Sequence, residues 1–488
     1  MRKLLALLLI LSASCWAQQV MPTMGSNWQG AAAIGTFTVV QTGHCSPGSA
    51  SNTCNITLSQ ALVAGNLYGW LLYSNSITVP LPLLTSTNAG GTLVKPVSCA
   101  VGAEVGPYQP SCGYILPSTS TGTSGTTLTT TMTQNCGSSQ CQIYFAELYP
   151  SAAPSNVALD GVGALYNAAS TSIVGPSFTF SGTGDAVFQG EATSGTGPSS
   201  VTSPYNTNAY LAAREGLSVA IPSNGTTPTW TIGSSTPATA IAMAFGWNTT
   251  ACVENSFQDF EGGVSGNSVT VPLLHASQHG WNGGVWTITG APKYSSTQAH
   301  GLTNATRLCG DGVTYSSGAG TLGLSVTGTG SAVADGLTYS FGISMIPSMT
   351  LGFWYYNSLA ANDTSLIDCG SITAGAGGQD YSSANCYGDG ATRYVVIETN
   401  GGGGSHVNMP SVGWYFIEVD YNAGGTHAVK LYDSTHSLIG TSTHAATGTY
   451  YPTLFNIGHN NASSITNGAV VYWDSATLSL TGQTPIGW

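Results

Sequence analysis

Along most of this chain apolar and polar positions alternate with a period of two, in runs closed by Gly, Asn, Ser or Pro. Such runs predict short β-strands, because successive side chains on a strand face opposite ways. In the first half they are Ile34–Gln41, Leu67–Tyr73, Thr126–Thr133, Gln142–Leu148, Ser177–Ser181, Leu217–Ile221, Thr229–Ile232 and Ala240–Trp247. Turn clusters such as His44–Thr53 and Pro117–Gly125 separate them. Only Asn206–Glu215 has a helical pattern, enough for a turn or two. In the second half, Leu351–Asn357, Val412–Tyr421, His427–Tyr432, Thr453–His459 and Val470–Leu480 are dense in aromatic and β-branched residues. Many short strands without long helices predict an all-β protein built as two β-sandwich domains. The pattern changes near Trp247–Val253, which divides the chain into an N-terminal sandwich over 31–249 and a second domain over 254–488.

The order of the last five segments resembles the concanavalin A-like jelly roll of the laminin-G type. Asn255–Gly263, with its Phe-Glu-Gly element, is similar to the opening strand of such domains. The resemblance implies two stacked antiparallel sheets and a surface that binds sugar or protein, and only in some members an active site. In the first half, Ala61–Trp70 with the later QIYFAELYP and LDGVGA stretches resembles a repeated module of bacterial and phage surfaces, which adds no activity.

Charge narrows the function. Charged residues are 6 % of the chain and the net charge is −12. So few Lys and Arg cannot track a phosphate backbone, which excludes nucleic acid as a partner. An anionic membrane surface is excluded on the same ground. Residues 1–17 read as a secretory signal peptide, with Arg2 and Lys3 before the apolar run Leu4–Leu11 and a cleavage site after Ala17. Its removal takes the net charge to −14. A lipidated Cys15 is the competing reading, against which stand Ser12 and Trp16. No later apolar run is long enough to insert in a membrane. The expected location is therefore secreted or at the cell surface.

Without Cys15 the cysteine count is even, as an exported disulfide framework requires. The cysteines fall in short-range couples: Cys45/Cys54, Cys99/Cys112, Cys136/Cys141, Cys252/Cys309 and Cys369/Cys386. No CxxC pair or Cys–His cluster has zinc spacing.

Candidate chemistry is sparse. Glu418-Val-Asp420 places two carboxylates on one strand face, the residue type used in glycoside hydrolysis. Glucanases related to the jelly roll carry a third carboxylate two or three residues further on. Positions 422 and 423 here are Asn and Ala, and the strand in the catalytic position, Ser365–Cys369, offers Asp368 alone. The expectation is a solvated polar face at Glu418 and Asp420 and no catalytic residue. The resemblance also implies a structural Ca²⁺ where the first and last strands meet, held by Asp474 with Asp259 and Glu261. His275 and His279 are four apart but sit in a run without helical period. Sugars stack on aromatic rings, and the ligand platforms expected here are Trp281, Tyr381 and Tyr387, taken as loop residues, together with Trp354.

The expected function is a secreted, non-catalytic carbohydrate-binding or adhesion protein whose partner is a polysaccharide or glycoconjugate. Two alternatives stand beside it. One is a jelly-roll glycoside hydrolase or polysaccharide lyase using Asp368 or Glu398. The other is a structural subunit of a surface appendage or fibre.

Overall fold

The computed structural model describes the chain between Gly35 and Ser479, apart from 75–83, 97–108, 271–284, 341–347 and a number of shorter stretches. The expected leader, Cys15, His275 and His279 lie outside the described residues. The protein is all-β: among the described residues the only helical element is a 3-10 turn at Pro154–Asn156. Among the described residues no helix is long and apolar enough to cross a membrane. Among the described residues of Asn206–Glu215 the expected helical turn is not formed. Ala209–Leu211 pairs antiparallel with Glu215–Ala220 instead, since sheet pairing outweighs the weak helical preference of a short Ala-containing run.

Three sheets make the N-terminal half. The strands Leu67–Ser74 and Cys141–Pro150 lie at the centre of a four-stranded sheet. Both faces of that sheet are buried. Leu67, Leu71, Tyr73, Tyr144, Ala146 and Leu148 enter one core, and Tyr68, Trp70, Leu72, Ile143 and Phe145 enter another. This explains why LYGWLLY and IYFAEL are apolar at both parities, as strands covered on both sides require. The first core packs this sheet on a six-stranded sheet whose long strand Thr229–Trp247 joins two of the runs read separately in the sequence. The second packs it on a three-stranded sheet. The buried Glu147 is held there by Gln41 at 2.6 Å, Asn66 at 2.7 Å and the Val63 amide at 2.9 Å.

Among the described residues two eight-stranded sheets and a two-stranded pair, Thr306–Arg307 with Thr314–Tyr315, make the C-terminal half, all within 256–479. The back sheet contains Ser348–Asn357, Gly413–Asn422, Thr426–Tyr432 and Val470–Ser479. The front sheet runs Val285–Thr289, Asp335–Ser340, Pro452–His459, Leu366–Ala374, Asp380–Gly388, Arg393–Thr399. Their inner faces share one core, with Phe353, Tyr355, Ile417, Val419 and Trp473 from the back meeting Ile372, Ala384, Ile397 and Phe455 from the front. Polar bonds cross between the sheets. Trp473 Nε1 donates to the Cys369 carbonyl at 2.8 Å. His427 accepts the Asn422 amide on Nδ1 at 3.1 Å, so its Nε2 carries the proton and donates to Asp380 of the front sheet at 3.1 Å.

Disulfides join Cys45–Cys54, Cys252–Cys309 and Cys369–Cys386 as the spacing predicts. Cys112 and Cys141 are also disulfide-bonded, while Cys99 and Cys136 lie outside the described residues. Cys252 and Cys309 both pack against the first N-terminal core, although Cys309 belongs in sequence to the other half. This bond fastens a loop of the C-terminal half to the N-terminal half.

Candidate functional site

The outer face of the front sheet carries the densest set of ligand-competent side chains. Because Ala384, Cys386, Val395 and Ile397 point into the core, the alternate residues of their strands point out. The register then aligns one residue from each of five strands. Thr338 pairs with Asn456, Asn456 with Ser371, Ser371 with Ser383, and Ser383 with Glu398. The result is a straight row of short polar side chains crossing the sheet, about 19 Å long at the usual strand spacing. Hydrogen bonds run along it: Thr338 Oγ1 donates to Asn456 Oδ1 at 2.6 Å, and Asn456 Nδ2 to Ser371 Oγ at 3.1 Å.

The next level adds Asp368 opposite Asn385. Ser383 Oγ donates to Asp368 Oδ1 at 2.7 Å. Asn385 Nδ2 donates to Glu398 Oε2, and the Tyr381 hydroxyl lies 3.5 Å from Glu398 Oε1. Burial pushes the Asp368 carboxyl up to about 6, and nearby Glu398 pushes the same way, while the Ser383 and Gly370 donors pull back. Tyr381 is raised as well, first by burial and then by Glu398. Rings bound the row on both sides. Tyr381 stands at one flank, opposite Thr373. At the other, Tyr387 and Tyr394 pack edge to face at 4.1 Å, and Tyr394 stacks on His406 at 3.9 Å. The Tyr387 hydroxyl bonds His406 Nε2 at 2.7 Å. Ser371, Ser383, Asn385 and Asp368 are only 3–8 % exposed although they face outward.

The expected platforms are placed as follows. Tyr381 and Tyr387 flank this row, but on the strand Asp380–Gly388 rather than in loops. Trp281 lies outside the described residues. Trp354 offers no open ring face and is corrected: it is fully buried on the outside of the back sheet. His300 stacks on it at 3.6 Å, and Phe416 packs at its edge. Burial there lowers the His300 imidazole to about 4.

Glu418 and Asp420 are not the solvated face expected of them. Lys430, directly opposite Glu418 on the neighbouring strand, contacts Glu418 and lies 2.8 Å from Asp420 Oδ2. Thr350 Oγ1 donates to Asp420 at 2.6 Å. Both carboxylates are buried, and Glu418 is raised by burial and by Asp420. Hydrogen bonds to Asp420 and Glu418 raise Lys430 against the opposing effect of its own burial. The pair the sequence singled out is buried and shares a single lysine.

Of the expected metal ligands, Asp259 lies outside the described residues. Glu261 accepts the Thr321 amide at 2.7 Å, and Asp474 accepts the His300 amide at 2.6 Å. Ser475, with φ 46°, lies in an irregularity of the last strand and donates its own amide to Asp474 at 2.7 Å. Two glycines leave room among oxygens here. A Cβ at Gly320 would lie 2.8 Å from the His300 carbonyl oxygen and 2.9 Å from Glu261 Oε1. A Cβ at Gly323 would lie 3.0 Å from the Gln298 carbonyl oxygen and 3.6 Å from Asp474 Oδ2. Carboxylates and carbonyls are the donor type a calcium ion takes. Among the described residues no three His, Cys, Asp or Glu side chains converge as a metal set.

No family model and no curated protein matches the chain. Among solved structures, a protein of unknown function from Shewanella oneidensis MR-1 is 14 % identical over 48 % of this chain and 92 % of its own, with a TM-score of 0.27. A cellulose-induced protein is 14 % identical over 46 % and 96 %, at 0.27. The CBM2 module of the evolved Dit of Lactobacillus casei BL23 phage J-1 is 10 % identical over 48 % and 100 %, at 0.26. Likeness this distant carries no argument about activity, which has to be read from the chain's own residues.

Proposed function

We propose that this chain is a carbohydrate-binding protein of the extracellular space or cell surface, and that the row Thr338–Asn456–Ser371–Ser383–Glu398 is where the glycan lies. The observation that supports this is the row itself, with its run of hydroxyl, amide and carboxylate groups between aromatic rings. Sugar hydroxyls both donate and accept, so they can exchange with Ser, Thr and Asn at little cost. The flanking tyrosines supply apolar ring area with a polar tip. The disulfides fit an exported protein. The test is a panel of soluble polysaccharides measured by affinity electrophoresis with the full chain. Binding should weaken by about tenfold or more in Asn385→Ala and Tyr381→Ala while both variants melt as the parent does. Retention of full affinity in both would remove the site.

A second reading, glycan cleavage, is favoured by one observation: Asp368, raised to about 6, shares the face with Glu398. A group titrating there can move protons near neutral pH. New reducing ends formed by the parent and lost in Asp368→Asn would establish it; an unchanged polysaccharide would leave binding alone.

We also propose that Glu261 and Asp474, with the Gln298 and His300 carbonyls, hold a Ca²⁺ ion that fixes the 298–323 region against the last strand. A ligand that binds only the folded state raises its melting temperature. Chelation should therefore lower the melting point of the C-terminal half by several degrees, on the order of 2–4 °C per kcal/mol for a unit of that size, and added Ca²⁺ should restore it. An unmoved melting curve would discard the ion.

A further inference from the structure

We propose that the front-sheet row selects glycans by charge: it takes chains bearing free amino groups in preference to neutral ones, and rejects chains bearing carboxylate or sulfate. This rests on the binding reading above and adds the chemical class of the ligand.

The two ionisable acids of the row are surrounded by neutral donors. Asp368 receives Ser383, and Glu398 receives Asn385 and Tyr381. Among the described residues neither acid is in an ion pair. The basic side chains nearby are committed elsewhere. Arg393, on the same strand as Glu398, is 3 % exposed and gives its guanidinium to the carbonyls of Asp363 at 3.1 Å and Ser365 at 3.2 Å. Lys430 belongs to the back sheet and is held by Asp420 and Glu418. Any ligand in the row therefore meets two carboxylates that no cation among the described residues pairs with.

The chemistry of selection follows. A carboxylate on the ligand would be brought against Asp368 and Glu398 across partly desolvated surface, where like charges repel more strongly than in water. An ammonium would instead form charge-assisted hydrogen bonds with the same oxygens. Ser371, Ser383, Asn385, Asn456 and Thr338 would still serve the hydroxyls common to all three kinds of chain. Attraction across a few ångströms at intermediate dielectric corresponds to about tenfold or more in affinity.

Three polymers with one β-glucan-type backbone separate charge from sugar recognition: chitosan, hydroxyethyl cellulose and carboxymethyl cellulose. With the full chain, chitosan should bind about tenfold or more tightly than hydroxyethyl cellulose, and carboxymethyl cellulose should bind weakest. The gap should narrow as salt is added. Glu398→Gln and Asp368→Asn should each shrink it. Asp433→Asn removes the same charge from a turn of the back sheet and should leave the gap unchanged, which separates the row from general attraction of a polycation to an acidic protein. Equal affinity for the three polymers would overturn charge selection and leave glycan binding standing. A preference lost equally in Asp433→Asn would overturn it too. Binding to none of them overturns it, and the wider polysaccharide panel then decides whether the binding site falls as well.

Discussion

Glu191→Gln is expected to raise the stability of the protein at pH 8 and leave it nearly unchanged at pH 5. Glu191 is fully buried, next to Ala240 in the six-stranded N-terminal sheet. Neither of its carboxyl oxygens has a hydrogen-bond donor among the described residues. Burial, and then the charge of Glu215, push it from 4.5 up to about 8. The folded pKa thus lies above the unfolded one. Below about pH 4.5 both states hold the proton and nothing is lost. Between there and about pH 8 the unfolded chain releases it and the folded chain does not, so stability falls as pH rises. The full effect is on the order of a few kcal/mol. Gln has the same shape and no ionisation, so its denaturation midpoint should separate from that of the parent progressively from pH 5 to pH 8. Parallel pH profiles for the two proteins would show that Glu191 does not carry this cost.

Lys430→Met should be the most damaging single change on the back sheet, by roughly 3–5 kcal/mol. The lysine is the cation that balances Glu418 and Asp420, both buried beside it. Without it two carboxylates share a low-dielectric strand face, with Thr350 still donating to Asp420 and Tyr432 to Glu418. Removing one partner of a buried charge set costs far more than removing the whole set. Lys430→Met combined with Glu418→Gln and Asp420→Asn should therefore recover most of the loss. The single variant should also regain stability as pH falls and its acids take up protons. Denaturant titrations of the single and triple variants at pH 5 and pH 8 measure both effects, and a triple variant no better than the single would refute the account. The same network explains why Glu418-Val-Asp420 is not the solvated polar face that its sequence suggests. A lysine opposite on the next strand leaves neither carboxylate available.

The strands were legible wherever a segment was dense in aromatic and β-branched residues. Leu351–Asn357 is one, yet its sequence could not say which set of rings was inner, since Phe353 and Tyr355 are as apolar as Trp354 and Tyr356. The structure turns the first pair inward and seals Trp354 from outside with His300. The three-sheet stack of the N-terminal half was written in LYGWLLY, where both parities are apolar, although a single sandwich was the expectation. The row on the front sheet was not legible. It is made of single Thr, Asn and Ser residues, with Thr338 bonded to Asn456 across 118 positions. Only long-range register brings them into line, and no local motif records register between distant strands. Asp368 and Glu398 were visible one at a time as lone acids, but their joint position depends on the strand Asp380–Gly388 that lies between them.

The bond between Cys252 and Cys309 has a further effect on how the molecule withstands proteolysis. A protease that cuts the backbone once anywhere from 253 to 308 leaves one cysteine on each fragment. The nicked protein would travel as a single species until a thiol is added, then part into two.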